Sequence, residues 1–142
     1  MKKLGGVREA ASILASLLPE ERNRILETIA EKNTELAEAL KENMVVFEDL
    51  QYLTVNMLVD LFKEIDISDL ALGLRIGSED LKNHILGNIS KRLGQDILDV
   101  LNGPPRPVTE VQRAVDKVMS VVRKKLENGE LIIKKDGTDE YV

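Results

Sequence analysis

Between Glu48 and Asp69 this sequence places six acids, Glu48, Asp49, Asp60, Glu64, Asp66 and Asp69, against the single base Lys63. Carboxylate oxygens bind hard cations, so this segment is the first place to look for ion chemistry. The acids lack the spacing of a calcium loop, and several stand where helices would begin, so a solvated face with helix starts explains them better. His84 is the only histidine and cysteine is absent. That excludes thiolate and histidine-rich metal sites and leaves no thiol nucleophile. Between Asn83 and Ile85, His84 reads as a partly exposed residue of a short helix rather than a base or ligand. Gly5 and Gly6 lack the longer loop and preceding strand of a phosphate cradle. Enzyme readings fail on these grounds, and for a hard cation the solvated face is the favoured reading.

A second set of charges suits recognition. Arg92, Asp96 and Asp99 are separated by four and three residues, which puts a mixed-sign row on one face of a helix starting at Ser90. Arg75 ends the preceding helical pattern, and Arg106 lies just beyond the next. As a solvated face, such a row contributes only about 0.2–0.5 kcal/mol per intrahelical pair. As a docking ridge, it steers a partner of alternating charge and makes contact salt-sensitive. The net charge of −5 is accounted for by residues 48–74. No basic stripe with stacking groups is evident, so a nucleic-acid surface is disfavoured.

The elements that must carry these charges are helical. Aliphatic residues dominate, aromatics make up 3% and tryptophan is absent, which favours an all-α fold over a β one. The first helix is expected just after Gly5-Gly6, with Val7, Ala10, Ala11, Leu14 and Leu18 on its apolar face. Pro19 suits the first position of a second helix, and Asn33 the cap of a third. These three form an armadillo-like unit over residues 1–43, in a fold of right-handed superhelical layers. An apolar hinge over 44–50, opening with Met44-Val45-Val46-Phe47, joins it to a second helical unit over 51–135. There Thr54, Asp66, Ser78 and Ser90 mark helix starts, Gly103-Pro104 a stop, and Val111 to Leu126 one long amphipathic stripe ended by Gly129. Glu130 to Lys135 reads as a docked extended segment and 136–142 as a flexible tail. No signal peptide or membrane-spanning run is expected, which points to a soluble, cytoplasmic protein.

Read in order, Gly5-Gly6, Met44-Val45-Val46-Phe47-Glu48-Asp49-Leu50, Asp69-Leu70-Ala71-Leu72, Asn88-Ile89-Ser90-Lys91-Arg92 and Asn128-Gly129-Glu130 resemble the C-terminal region of the flagellar motor switch protein family FliG. The family's Met-Phe-x-Phe hinge falls on Met44 to Phe47, with Val45 in place of the first Phe. The resemblance implies a rotor component whose charged helix receives force from the stator protein MotA through Arg75, Arg92, Asp99 and Arg106. The family's second adjacent acid falls on Val100. It also implies a hinge at Gly5, Gly6, Met44, Val45, Val46 and Phe47 that reorients the unit when rotation reverses. Further implied partners are the switch protein FliM and neighbouring FliG subunits, in a homo-oligomer or domain-swapped arrangement at the cytoplasmic face of the basal body. Neither the family's N-terminal domain nor its middle domain precedes Gly5, which implies a chain cut at the linker or a shortened relative. Two alternatives compete. The cytoplasmic domain of MgtE-type transporters is similar in architecture, so the acids from Glu48 to Asp69 would sense magnesium; a generic helical adaptor would ignore the charged row.

Overall fold

The computed structural model describes residues 2–133, with side chains from residue 6 onward. The chain is all-α, and it divides into two compact units between Val46 and Phe47.

The first unit holds α1 (Lys2–Ala15), α2 (Pro19–Lys32) and α3 (Thr34–Asn43). Its core is aliphatic: Ala11, Leu14, Leu26, Leu40 and Met44 are buried together, with Val7, Ala10, Leu17 and Ile29 packed around them. Pro19 occupies the start of α2, where its missing N–H costs nothing. Asn33 turns out to serve two helices: its backbone N–H closes α2 on the Ile29 carbonyl, and its side chain accepts from Leu36 N–H at 3.1 Å to open α3. One expectation fails. Gly5 and Gly6 do not lead into the first helix but lie within α1. Each glycine disfavours a helix by roughly 1 kcal/mol without forbidding it, and α1 runs through both.

The second unit opens with a 3-10 turn, η1 (Phe47–Tyr52), followed by α4 (Val55–Phe62), α5 (Ile67–Leu74), α6 (Glu79–Gly87), α7 (Lys91–Leu101) and α8 (Val108–Glu127). Helix α5 is its centre, with Leu70, Ala71, Leu72, Gly73 and Leu74 all buried and its contacts made to α7 and α8. A helix apolar all round must be covered on every side, and α8 supplies one cover through Val111, Ala114, Val115, Val118 and Val122. The four expected caps form: Thr54 accepts from Met57 N–H, Asp66 from Ser68, Ser78 from Leu81 and Ser90 from Leu93. Gly129, with φ 76°, takes the left-handed conformation just past α8.

Two contacts escape a helical-periodicity reading. Glu48 accepts from the Ser78 backbone N–H at 2.6 Å and from its hydroxyl at 2.7 Å, so a residue expected in the hinge instead ties η1 to the start of α6. His84, partly exposed as expected, donates from Nε2 to the Leu53 carbonyl at 2.8 Å. Since a carbonyl only accepts, Nε2 carries the proton. Ser90→Ala, which removes only a cap, should lower stability by about 1 kcal/mol. Ser78→Ala loses a cap and a hydrogen bond to a carboxylate, so it should cost roughly 2 kcal/mol. Urea unfolding of the two variants checks the order.

The segment after α8 is anchored rather than loose. Lys125, although buried, pairs with Glu64 and lies 3.8 Å from Glu130, while its carbonyl accepts from Glu130 N–H. Leu131 is 2% exposed and belongs to the core. Residues 131–133 form no strand. The rest of the expected extended segment, Lys134-Lys135, and the tail 136–142 lie outside the described residues. The hydrogen bond to Glu64 raises the Lys125 pKa, so the stabilisation is complete below lysine's ordinary value and is lost only as pH rises through the raised one.

Candidate functional site

The charged row stands on α7. Ile97 is fully buried, while Arg92, Asp96 and Asp99 are exposed. An inward-facing apolar stripe with polar residues on the other side is the ordinary logic of a covering helix, and it fixes the row outward. Asp99 accepts from Gln95 Nε2 at 3.0 Å. The Arg92 guanidinium has no ion pair or hydrogen bond among the described residues. Val100, half-buried, occupies the position after Asp99. Beside the row, α6 and α7 enclose a groove of about 440 Å³ lined by Arg75, Lys82, Leu86, Leu98 and Leu101.

Arg75 is placed differently from expectation. Its guanidinium reaches back into the fold: Nε and Nη2 donate to the Val100 carbonyl at 3.2 and 2.6 Å, and Nη1 donates to the Pro104 carbonyl at 2.8 Å. Helix C-termini expose carbonyls without intrahelical partners, and a cation there also meets the negative end of the dipole. Arg75 therefore joins the end of α5 to the end of α7 and to the loop beyond it. A Cβ on Gly103 would lie 3.2 Å from Arg75 Nη2, so the loop glycine leaves room for the guanidinium. Sequence alone offers no signal for this contact, which spans 25 residues.

Arg106 is exposed as expected, but it is not unpaired. Its Nε donates to Glu110 Oε1 at 3.0 Å and its Nη2 contacts the same oxygen. This hydrogen bond holds the Glu110 carboxyl below its ordinary value against some desolvation, with Arg113 and Arg75 adding attraction. The pair's contribution is therefore present above the ordinary carboxylate pKa and lost as pH falls through the lowered one. Glu110 did not emerge from sequence as a site residue, although the four-residue spacing from Arg106 was a usable signal.

The hinge residues divide between the units. Met44 is buried in the first core. Phe47 belongs to the second unit, its ring so close to Gly73 that a Cβ there would lie 2.8 Å from Cζ and 3.0 Å from Val115 Cγ2. Val45 and Val46 are half-buried, and Val46 packs against the first core beside Met44.

Four of the six acids between Glu48 and Asp69 are separately committed. Glu48 binds Ser78, Asp66 caps α5, Asp60 is 3.9 Å from Lys63, and Glu64 pairs with Lys125. Among the described residues no group of three or more His, Cys, Asp or Glu side chains could hold a metal ion, so magnesium sensing has no cluster to rest on.

Comparison with known proteins leads to a single family. Residues 27–133 match the family model described as FliG C-terminal domain. The flagellar motor switch protein FliG of Thermotoga maritima is 34% identical over 142 residues, covering 99% of this chain and 42% of the relative. The Aquifex aeolicus protein of the same name is 32% identical, covering 92% of this chain and 40% of the relative. The chain thus spans about two fifths of these relatives' length. Among solved structures, FliG from H. pylori superposes with a TM-score of 0.63 at 28% identity, over 88% of this chain and 59% of that one. Full-length FliG from Aquifex aeolicus gives 0.57 at 31%, over 89% and 40%.

Proposed function

The chain belongs to the FliG C-terminal domain family, and from that membership we propose that it is the force-receiving part of a flagellar rotor, acting by contact rather than by chemistry. The observation that carries this reading is the outward row on α7, where Arg92, Asp96 and Asp99 are exposed behind a buried Ile97. The stator protein MotA is its partner, through charges opposite in sign to the row. Asp96 and Asp99 lie three residues apart on one face, so Asp96 supplies a second acid where Val100 does not. Among the described residues no helix is long and apolar enough to cross a membrane, in keeping with work at the cytoplasmic face of the basal body.

Reversal of rotation is assigned to Met44 to Phe47. With Met44 and Val46 packed in the first core and Phe47 in the second, reorientation falls on the backbone at Val45 and at the Val46–Phe47 junction, and both orientations must be close in free energy for partner contacts to select between them. The switch protein FliM and neighbouring subunits supply that selection. The first unit leaves Ile13, Ile25 and Leu36 exposed, apolar residues available to a neighbour.

Arg92→Glu and Asp99→Lys, each built into a full-length relative carrying this region, should reduce swimming torque. Both sites are exposed, so the isolated chain should keep its stability within about 0.5 kcal/mol. Full torque in both variants sinks the reading.

A further inference from the structure

At the start of α8 one carboxylate is drawn on by several guanidinium groups. Glu110 accepts from Arg106 and is attracted also by Arg113 and Arg75. Arg75 is spent on the carbonyls of Val100 and Pro104, and exposed Arg113 acts on Glu110 by charge attraction alone, so Arg106 is the guanidinium whose hydrogen bonds to Glu110 can be exchanged. The way it is engaged matters. Nε and Nη2 both converge on Glu110 Oε1, whereas the strongest carboxylate–guanidinium geometry is a parallel fork in which each N–H meets its own oxygen.

We propose that Glu110 is a built-in competitor for Arg106, occupying its guanidinium until the carboxylate of a docking partner replaces it. The inference rests on the reading of this surface as a charge-steered docking face. Arg92, unpaired among the described residues, is open on first approach; Arg106 responds only by exchange. The exchange trades one ion pair for another, so it conserves charge-assisted hydrogen bonds, and a partner side chain free to approach in the plane of the guanidinium can complete the two-oxygen fork that Glu110 does not make. Glu110 thereby sets how strongly this corner answers an acidic helix and selects for carboxylates that arrive in fork geometry.

The test uses this chain with poly-L-glutamate as the acidic probe at low salt, following the Arg106 Nε–H resonance by NMR. Glu110→Gln should tighten binding at Arg106 about two- to fivefold, the range one exposed ion pair supports. Glu127→Gln, which removes the same charge at the far end of α8, should leave binding at Arg106 nearly unchanged. In an Arg106→Gln background, measured by backbone resonances of the loop before α8, the Glu110→Gln gain should vanish. Equal effects of Glu110→Gln and Glu127→Gln, or a gain that survives loss of Arg106, overturn the proposal. Its failure is separable from failure of the rotor reading, which is decided by torque in the Arg92 and Asp99 reversals and not by Glu110.

Discussion

Phe47→Ala should lower the stability of the second unit by about 3–5 kcal/mol, the range for truncating a buried aromatic side chain. The ring is 7% exposed and fills the space above Gly73 and beside Val115, so its removal opens a cavity between η1, α5 and α8. The partner substitution makes the claim sharper. Gly73→Ala places a methyl group 2.8 Å from Phe47 Cζ, and overpacking of this kind costs about 1–3 kcal/mol. Alanine regains roughly 1 kcal/mol in helix propensity, so a net loss of up to about 2 kcal/mol is expected in the native background. With Phe47→Ala already present the contact with the ring is gone and the 3.0 Å approach to Val115 Cγ2 remains, so Gly73→Ala should become close to neutral. A double-mutant cycle by chemical unfolding, with amide exchange in α5 to assign the transition, measures that coupling. An equal penalty in both backgrounds would mean that the ring does not pack on Gly73. In the proposed hinge Phe47 is the distal anchor, so the same substitution should loosen η1 and impair switching in a full-length protein.

The second large effect is expected at Arg75. Arg75→Ala removes three hydrogen bonds from a charged donor to the Val100 and Pro104 carbonyls, and hydrogen bonds involving a charged group contribute about 1.5–3 kcal/mol each before relaxation and rehydration. A net loss of about 2–3 kcal/mol, with faster amide exchange at Asn102 and Gly103, is the expected result. Arg75→Lys separates two roles. A lysine keeps the charge but cannot span two carbonyls with a planar fork, so it should recover little of the stability. Were Arg75 chiefly a point charge presented to a partner, lysine would restore torque and alanine would leave stability untouched. That pattern would overturn the assignment made here.

Arg75 and Arg106 give the charged surface a different composition from the one the family pattern implies. Of Arg75, Arg92 and Arg106, the first is committed to backbone carbonyls, the last to Glu110, and only Arg92 is unpaired among the described residues. Torque should therefore be more sensitive to Arg92→Glu than to reversal of Arg106, whose loss also frees Glu110.

The local signals in the sequence were strong because they are local. Asn33, Thr54, Asp66, Ser78 and Ser90 cap helices as their positions predict, Pro19 begins one, and Gly129 follows one. Capping is settled within three residues of chain, and the α7 row follows from helical spacing once Ser90 sets the register. Gly5-Gly6 misled for a related reason: helix propensity is a weak prior that neighbouring turns can override. The sequence by itself thus determined an all-α chain, its helix starts and the outward face of α7. What only the tertiary structure decided is which charges remain available. Arg75 meets carbonyls 25 and 29 residues away, Glu48 meets Ser78 across 30, and His84 meets Leu53 across 31. Such pairings depend on how separate helices stack, and a guanidinium or carboxylate finds whichever unsatisfied backbone group the packing leaves within reach.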